Sequence, residues 1–136
     1  MAYATIDDMI ARFGSVELVR ISTPADREMD GVVASVVTAA LDDASALIDS
    51  YVRRRYQTPI DVAPREIIAA CCNIARFNLA TGDGKTASDE VRQRQKDAVA
   101  WLVDIAKGTV RLELDQVAPT TDEVAEAYIG RCAVFG

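Results

Sequence analysis

The sequence contains no histidine, and it has only three cysteines among its 136 residues. Histidine is the usual general base near neutral pH and the commonest metal ligand, so its absence argues against most hydrolase mechanisms and zinc sites. Cys71 and Cys72 are adjacent and Cys132 is remote, which gives neither a disulfide framework nor a metal-ligand spacing. We expect free buried thiols, with a reactive or interchain thiol as the alternative. We expect no metal, no cofactor and no enzymatic activity.

Long hydrophobic runs are also missing, because no apolar stretch approaches the roughly 20 residues that a membrane span needs. The amino-terminal sequence MAYATIDDMIARF is acidic where a secretory signal is basic. Half of the residues are hydrophobic and about a quarter are charged, as in a soluble globular protein. These features predict one domain with a modest core, in the cytoplasm and not in a membrane.

The net charge is −6, and an acidic chain repels phosphate backbones unless it concentrates its basic residues on one face. The three consecutive residues Arg53–Arg55 are the most serious functional candidate, although three successive helical residues spread around the helix and do not form one groove-reading face. Three interpretations stay open: solvated or ion-paired arginines, contact with an acidic partner, or contact with DNA phosphates. In the first interpretation the stem of Arg55 covers apolar surface while its guanidinium meets a carboxylate.

Apolar residues at helical spacing predict a mainly α chain, a small bundle of about four helices around an apolar central helix. Thr5 and Asp8 have the spacing of a capping box, which predicts a short first helix that stops at Gly14. The sequence SVELVRIS then predicts a short second turn capped by Ser15.

The longest predicted helix runs from about Gly31 to Tyr56 and ends before Pro59. Asp49 and Arg53 stand four residues apart, in the acid-before-base order that favours an ion pair. The apolar seam of this helix follows steps of four and three through Val33, Val37, Ala40, Ala44, Leu47 and Tyr51, widened by Leu41, Ile48 and Val52.

The third predicted helix, PREIIAACCNIARFNLA over residues 64–80, is apolar on nearly every side and is therefore the expected central helix. The fourth runs from Ser88 to Lys107 and stops at Gly108. The alternating sequence TVRLEL that follows predicts a short strand. We predict a helical body over residues 1–114 and an extended C-terminal arm over residues 115–136.

Two patterns resemble catalytic or ligand-binding motifs but are better explained structurally. The segment GDGKT, residues 82–86, lacks the glycine that a phosphate loop needs at position 79, and an apolar helix precedes it instead of a strand. We interpret it as a turn. The acidic pairs Asp7–Asp8, Asp42–Asp43 and Asp89–Glu90 are sequence neighbours, which diverge by roughly 100° on a helix and so do not converge on one ligand.

Four successive blocks of the sequence resemble a known family. They are YATIDDMIARFG, ALDDASALIDSYVRRRYQTPI, IAACCNIARFNL and VRQRQKDAVAWLVDIAKGTVRL. In this order and spacing, over residues 3–114, the chain resembles the head–tail connector family of Mu-like phages and prophages. The ending from Arg131 to Phe135 is similar to the common finish of that family. Cys71–Cys72 departs from it, because relatives more often have a small residue followed by an acid there.

The resemblance implies a structural adaptor of the virion neck. Copies are expected to form a homo-oligomeric ring, twelvefold, below the portal protein, and to extend the DNA channel. On its far side the ring would meet a tail-side neck or tail-terminator protein, and DNA would pass without sequence-specific binding. A negatively charged lumen would let the DNA slide.

The residues expected to contact partners are Arg53 and Arg54 in the body and Tyr128, Ile129, Arg131, Val134 and Phe135 in the arm. The alternative hypothesis is a stand-alone helical binding or regulatory module, which contacts a protein partner or DNA through Arg53–Arg55.

Overall fold

The computed structural model describes residues 2–24, 26–82 and 84–112, which form five helices. The helices are α1 (Ile6–Phe13), α2 (Ser15–Ser22), α3 (Ala34–Val52), α4 (Arg65–Thr81) and α5 (Asp89–Lys107). The predicted mainly α architecture is confirmed. There are five helices instead of about four in these ranges, because SVELVRIS forms a complete eight-residue helix, with Gly14 and not Ser15 at its N-cap.

Helix α4 is the centre of the bundle, as its all-round apolar sequence predicts. It packs against each of the other four helices, most extensively against α3 and α5. A helix in this position has little solvent-facing surface, so apolar residues are needed on every side. Its buried residues are Ile67, Ala70, Cys71, Cys72, Ile74, Ala75, Leu79 and Ala80.

Helix α3 is shorter than predicted and presents a slightly different face to the core. It begins at Ala34 and ends at Val52, where the sequence pattern had extended it to Tyr56. Leu47 is only half-buried, whereas Ile48 is fully enclosed. The reason is that α3 contacts both α4 and α5, so its buried face is centred between these two neighbours and not on the predicted seam.

Three helix ends, the start of α1 and both ends of α5, follow the signals in the sequence. The Thr5 hydroxyl accepts a hydrogen bond from the Asp8 backbone, and the Asp8 carboxylate accepts one from the Thr5 backbone, which completes the predicted capping box of α1. Ser88 caps α5 through the backbone N–H of Val91. Gly108 ends α5 in the left-handed conformation, with a φ of 84°.

The predicted short strand is not present in the described part of its sequence, residues 109–112. A side chain satisfies the backbone of Leu112 instead. The Leu112 N–H donates to the Tyr56 hydroxyl at 2.7 Å, and that hydroxyl donates to the Leu112 carbonyl at 3.3 Å. Residues 113 and 114 lie outside the described residues. The Tyr56 hydroxyl thus pairs with both the N–H and the carbonyl of Leu112, the two backbone groups that would otherwise bond to a neighbouring strand.

An ion pair joins α2 to α4. The Arg76 guanidinium donates two hydrogen bonds to the Glu17 carboxylate, at 2.5 and 2.9 Å, and stacks over the Phe13 ring at 4.3 Å. The hydrogen bonds to Glu17 raise the pKa of Arg76 above its already high ordinary value.

None of the described helices is long and apolar enough to cross a membrane.

The two adjacent residues Leu47 and Ile48 provide a test of this packing. Replacing Ile48 by alanine should lower the free energy of unfolding by about 2–5 kcal/mol, because it leaves a cavity in a fully buried site. Leu47→Ala should cost clearly less, since this side chain is partly solvated in the native state. Urea unfolding followed by circular dichroism measures both. Equal losses for the two variants would contradict the position of the buried face.

Candidate functional site

The three arginines follow α3 in a tight turn. Val52 is the last helical residue, and its carbonyl accepts hydrogen bonds from the backbone N–H groups of Arg55 and Tyr56, both at 2.9 Å. Tyr56 is buried in the core, with 2% of its surface exposed. The arginine turn, residues 53–55, is therefore fixed between the end of a core helix and a buried aromatic side chain.

Arg55 stabilises the end of α5. Its guanidinium donates to the backbone carbonyls of Lys107, at 3.0 Å, and Ala106, at 3.4 Å. The last carbonyls of a helix lack partners within the helix, and a cation favours the negative end of the helix dipole. The interpretation that this guanidinium meets a carboxylate is not supported in the described part of the chain, where it binds these carbonyls and no carboxylate lies within 4 Å.

Arg53 and Arg54 are exposed, and within the described ranges no carboxylate lies within 4 Å of either guanidinium. The predicted pair between Asp49 and Arg53 is not formed. The Asp49 carboxylate instead accepts a short hydrogen bond from the Tyr3 hydroxyl. Of the arginine turn, two side chains are thus available to a partner and one holds the fold together.

Tyr3 is a structural residue that the sequence pattern did not identify. Its hydroxyl also accepts a hydrogen bond from the Ile60 N–H at 3.0 Å, and its backbone N–H donates to the Ser45 hydroxyl at 2.9 Å. Burial, followed by the hydrogen bond to Asp49, raises the pKa of Tyr3 to about 12. Tyr3 thereby ties the amino terminus to α3 and to the segment that leads into α4.

Cys71 and Cys72 are free and buried, as predicted. Burial raises the pKa of both thiols, that of Cys72 to about 12. Because the thiolate is the reactive form, these two cysteines are poor nucleophiles in the folded protein. Cys132 lies outside the described residues.

The other patterns take the positions that the structural interpretation predicts. A helix, α4, precedes residues 82–86, and the Lys85 N–H donates to the Gly82 carbonyl at 3.1 Å in a turn. Asp7–Asp8 and Asp89–Glu90 occupy the first turns of α1 and α5, where acids favour the helix dipole. Across residues 2–24, 26–82 and 84–112, no group of His, Cys, Asp and Glu side chains is arranged to hold a metal ion.

The arm residues predicted to contact partners, Tyr128, Ile129, Arg131, Val134 and Phe135, lie outside the described residues. So does the predicted arm as a whole, residues 115–136. The division into a body over residues 1–114 and an arm stays a prediction.

Comparison with protein families gives a match to the family described as Bacteriophage Mu, Gp36, over residues 3–129. The chain belongs to the bacteriophage Mu Gp36 family. The match covers all five helices and extends fifteen residues beyond residue 114, where the resemblance recognised in the sequence ends. The resemblance to Mu-like phage proteins is therefore confirmed.

Two relatives of this Gp36 family member are phage or prophage proteins. One is gene product J of Escherichia phage Mu, which is 34% identical over 110 residues, covering 79% of this chain and 74% of the relative. The other is the Mu-like prophage FluMu protein gp36 of Haemophilus influenzae, 33% identical over 129 residues, covering 94% of this chain and 84% of the relative. The second alignment spans most of both proteins.

The contact between Arg55 and α5 can be tested by a double-mutant cycle. Arg55→Ala should lower the free energy of unfolding by about 0.5–1 kcal/mol through loss of two exposed hydrogen bonds. Gly108→Ala should cost at least about 1–2 kcal/mol, because it forces alanine into a left-handed conformation. A Cβ at Gly108 would also lie 2.8 Å from an Arg55 nitrogen. Arg55→Ala should relieve that clash, so the double variant should lose less than the two single losses combined.

The matched control is Arg54→Ala, which should change the free energy of unfolding by no more than about 0.5 kcal/mol. All four variants can be compared by urea unfolding. Strict additivity of Arg55→Ala and Gly108→Ala would show that the guanidinium does not lie over the end of α5.

Proposed function

We propose that this Gp36 family member is a structural, non-enzymatic component of the phage neck, a head–tail connector. Copies form a ring, twelvefold, below the portal protein, extend the DNA channel and join the capsid to the tail. The observation that carries the proposal is the family match over residues 3–129, which places the chain among phage Mu and prophage proteins.

The use of polar side chains in the body supports a role based on shape. Glu17 and Arg76 join two helices, Arg55 stabilises a third, and Tyr3 with Asp49 fixes the amino terminus. These side chains are engaged in contacts within the body and are therefore not free for catalysis. The contacts hold the helices together as a rigid block. A ring subunit needs such a block to hold its neighbours at constant angles.

The C-terminal segment supplies the contact with the portal in this proposal. Its sequence ends in apolar residues separated by a single arginine, namely Tyr128, Ile129, Arg131, Val134 and Phe135. We infer that this end of the segment binds the portal and that the opposite face of the ring meets a tail-side neck protein. The net charge of −6 on each copy suits a channel through which DNA moves without sequence-specific binding.

A second candidate function is a binding module that uses the arginine turn. The observation in its favour is the exposure of Arg53 and Arg54 without a carboxylate within 4 Å in the described part of the chain. Such a module would bind an acidic protein or DNA as an isolated domain, and its DNA affinity would fall steeply with salt.

Deletion of residues 122–136 tests the connector function. The truncated protein should keep nearly all of its helical circular dichroism, because the five helices end at Lys107, but should no longer bind purified portal rings. Co-sedimentation with portal rings measures binding. Loss of helical content on deletion would show that these residues belong to the core.

The matched comparison is the full-length Arg53→Glu/Arg54→Glu variant, which should still bind portal rings. If this variant instead abolishes a salt-sensitive shift of DNA that the unaltered domain produces, the binding-module function is favoured. Failure of the unaltered protein to bind portal rings, together with its absence from purified virions, would overturn the connector function.

A further inference from the structure

A groove opens on the body at the end farthest from Leu112. Two adjoining cavities, of about 350 and 560 Å³, share Ile21, Pro24 and Lys85 in their walls. The groove lies between α2, the connector that follows it, the first turns of α3, the last turn of α4 and the beginning of α5. Its floor contains apolar side chains, and Met29, one of the three most exposed large hydrophobic residues of the described chain, stands on its rim.

The groove is basic although the protein is acidic. Arg20, Arg27 and Lys85 line it, and within the described ranges no carboxylate lies within 4 Å of their charged groups. Arg76 also lines it, but Glu17 neutralises this charge. Asp43 is the acid on the opposite wall. A ligand for this groove should therefore combine apolar side chains with negative charge.

The C-terminal segment of the sequence has that combination. Residues 113–136 contain five carboxylates and one arginine, a net charge of −4 out of the −6 of the whole chain. Within them, the sequence TDEVAEAY, residues 121–128, predicts a short amphipathic helix. Val124 and Tyr128 are four residues apart and share one face, while Asp122, Glu123 and Glu126 occupy the rest of the circumference.

The position of Leu112 favours docking between copies. The backbone of Leu112 is hydrogen-bonded to Tyr56, which lies beyond the carboxyl end of α3. Val36, in the wall of the groove, lies near the amino end of the same helix. The sixteen residues from Val36 to Val52 span about 24 Å of helix. The nine steps from Leu112 to Thr121 reach at most about 30–32 Å when fully extended, so a chain could enter its own groove only with residues 113–120 largely extended.

We propose that residues 121–128 of one copy occupy the basic groove of the next copy. Val124 and Tyr128 pack on the apolar floor, and the acidic residues meet Arg20, Arg27 and Lys85. This contact joins opposite ends of two identical subunits. Such head-to-tail contacts generate a closed ring when the rotation between neighbours divides the circle evenly. The inference rests on the proposed connector function. It reassigns Tyr128 from the portal to the neighbouring copy and leaves residues 129–136 to the portal.

A fluorescent peptide with the sequence of residues 117–130 tests the inference when it is titrated with the full-length protein. Fluorescence anisotropy should show saturable binding that a scrambled peptide lacks. The groove variant Arg27→Glu/Lys85→Glu should weaken binding by at least about tenfold, because it replaces attraction with repulsion. A peptide carrying Glu123→Lys and Glu126→Lys should bind this groove variant better than the unaltered peptide does.

Arg65→Glu/Lys96→Glu is the matched control, since it reverses two exposed basic residues outside the groove and should leave peptide affinity unchanged. Binding that is equal for the unaltered groove and the reversed groove would overturn the inference. If, at concentrations where sedimentation shows a monomer, the peptide binds only after residues 122–136 have been deleted, the segment occupies its own groove, and docking between copies is then wrong. Preference of the groove for a DNA oligonucleotide over the peptide would also overturn it.

The outcome separates this inference from the connector function. If the protein binds portal rings and is found in virions but the peptide does not bind, only the groove contact fails. If the peptide binds but the protein neither binds portal rings nor occurs in virions, the connector function fails and the groove remains a site of self-association.

Discussion

The fold depends on the burial of α4, a helix with apolar side chains around most of its circumference. Such a helix is stable in water only when other elements cover it on every side, and the four remaining helices do so. The ion pair between Glu17 and Arg76 holds α2 in that cover, and Tyr3 holds the amino terminus against α3. The polar contacts of the body thus hold in place the helices that cover α4, and burial of its apolar side chains requires that cover.

Local signals predicted much of this arrangement. The capping box of Thr5 and Asp8, the Ser88 cap, the Gly108 stop and the all-apolar central helix depend on residues a few positions apart, and each is found in the structure. Contacts between distant residues were not predictable in this way. Arg55 and Lys107 are 52 positions apart, and Tyr3 and Asp49 are 46 apart, so no spacing rule relates them.

The candidate site was predicted in part for the same reason. Exposure of Arg53 and Arg54 follows from their charge, but sequence alone could not show that Arg55 is engaged by backbone carbonyls. The groove was missed because its basic residues, Arg20, Arg27 and Lys85, are scattered over 66 positions and meet only when α2 and α4 pack. The one available signal was the concentration of negative charge after Leu112, which makes a basic surface a suitable partner for that segment.

The contacts of Arg55 and Tyr56 have a consequence for assembly. Together they bind the backbone of residues 106, 107 and 112, so Leu112 is held at a fixed position beside the end of α3. The groove lies at the other end of that same helix, which separates the two points by a rigid distance. In a subunit that self-associates head to tail, a constant distance and angle between donor and acceptor ends is the condition for a closed ring, because small errors accumulate around the circle. The third arginine of a triplet that resembles a nucleic-acid contact therefore holds the end of α5 in place, and in the proposed ring that contact would help to set the geometry between neighbouring copies.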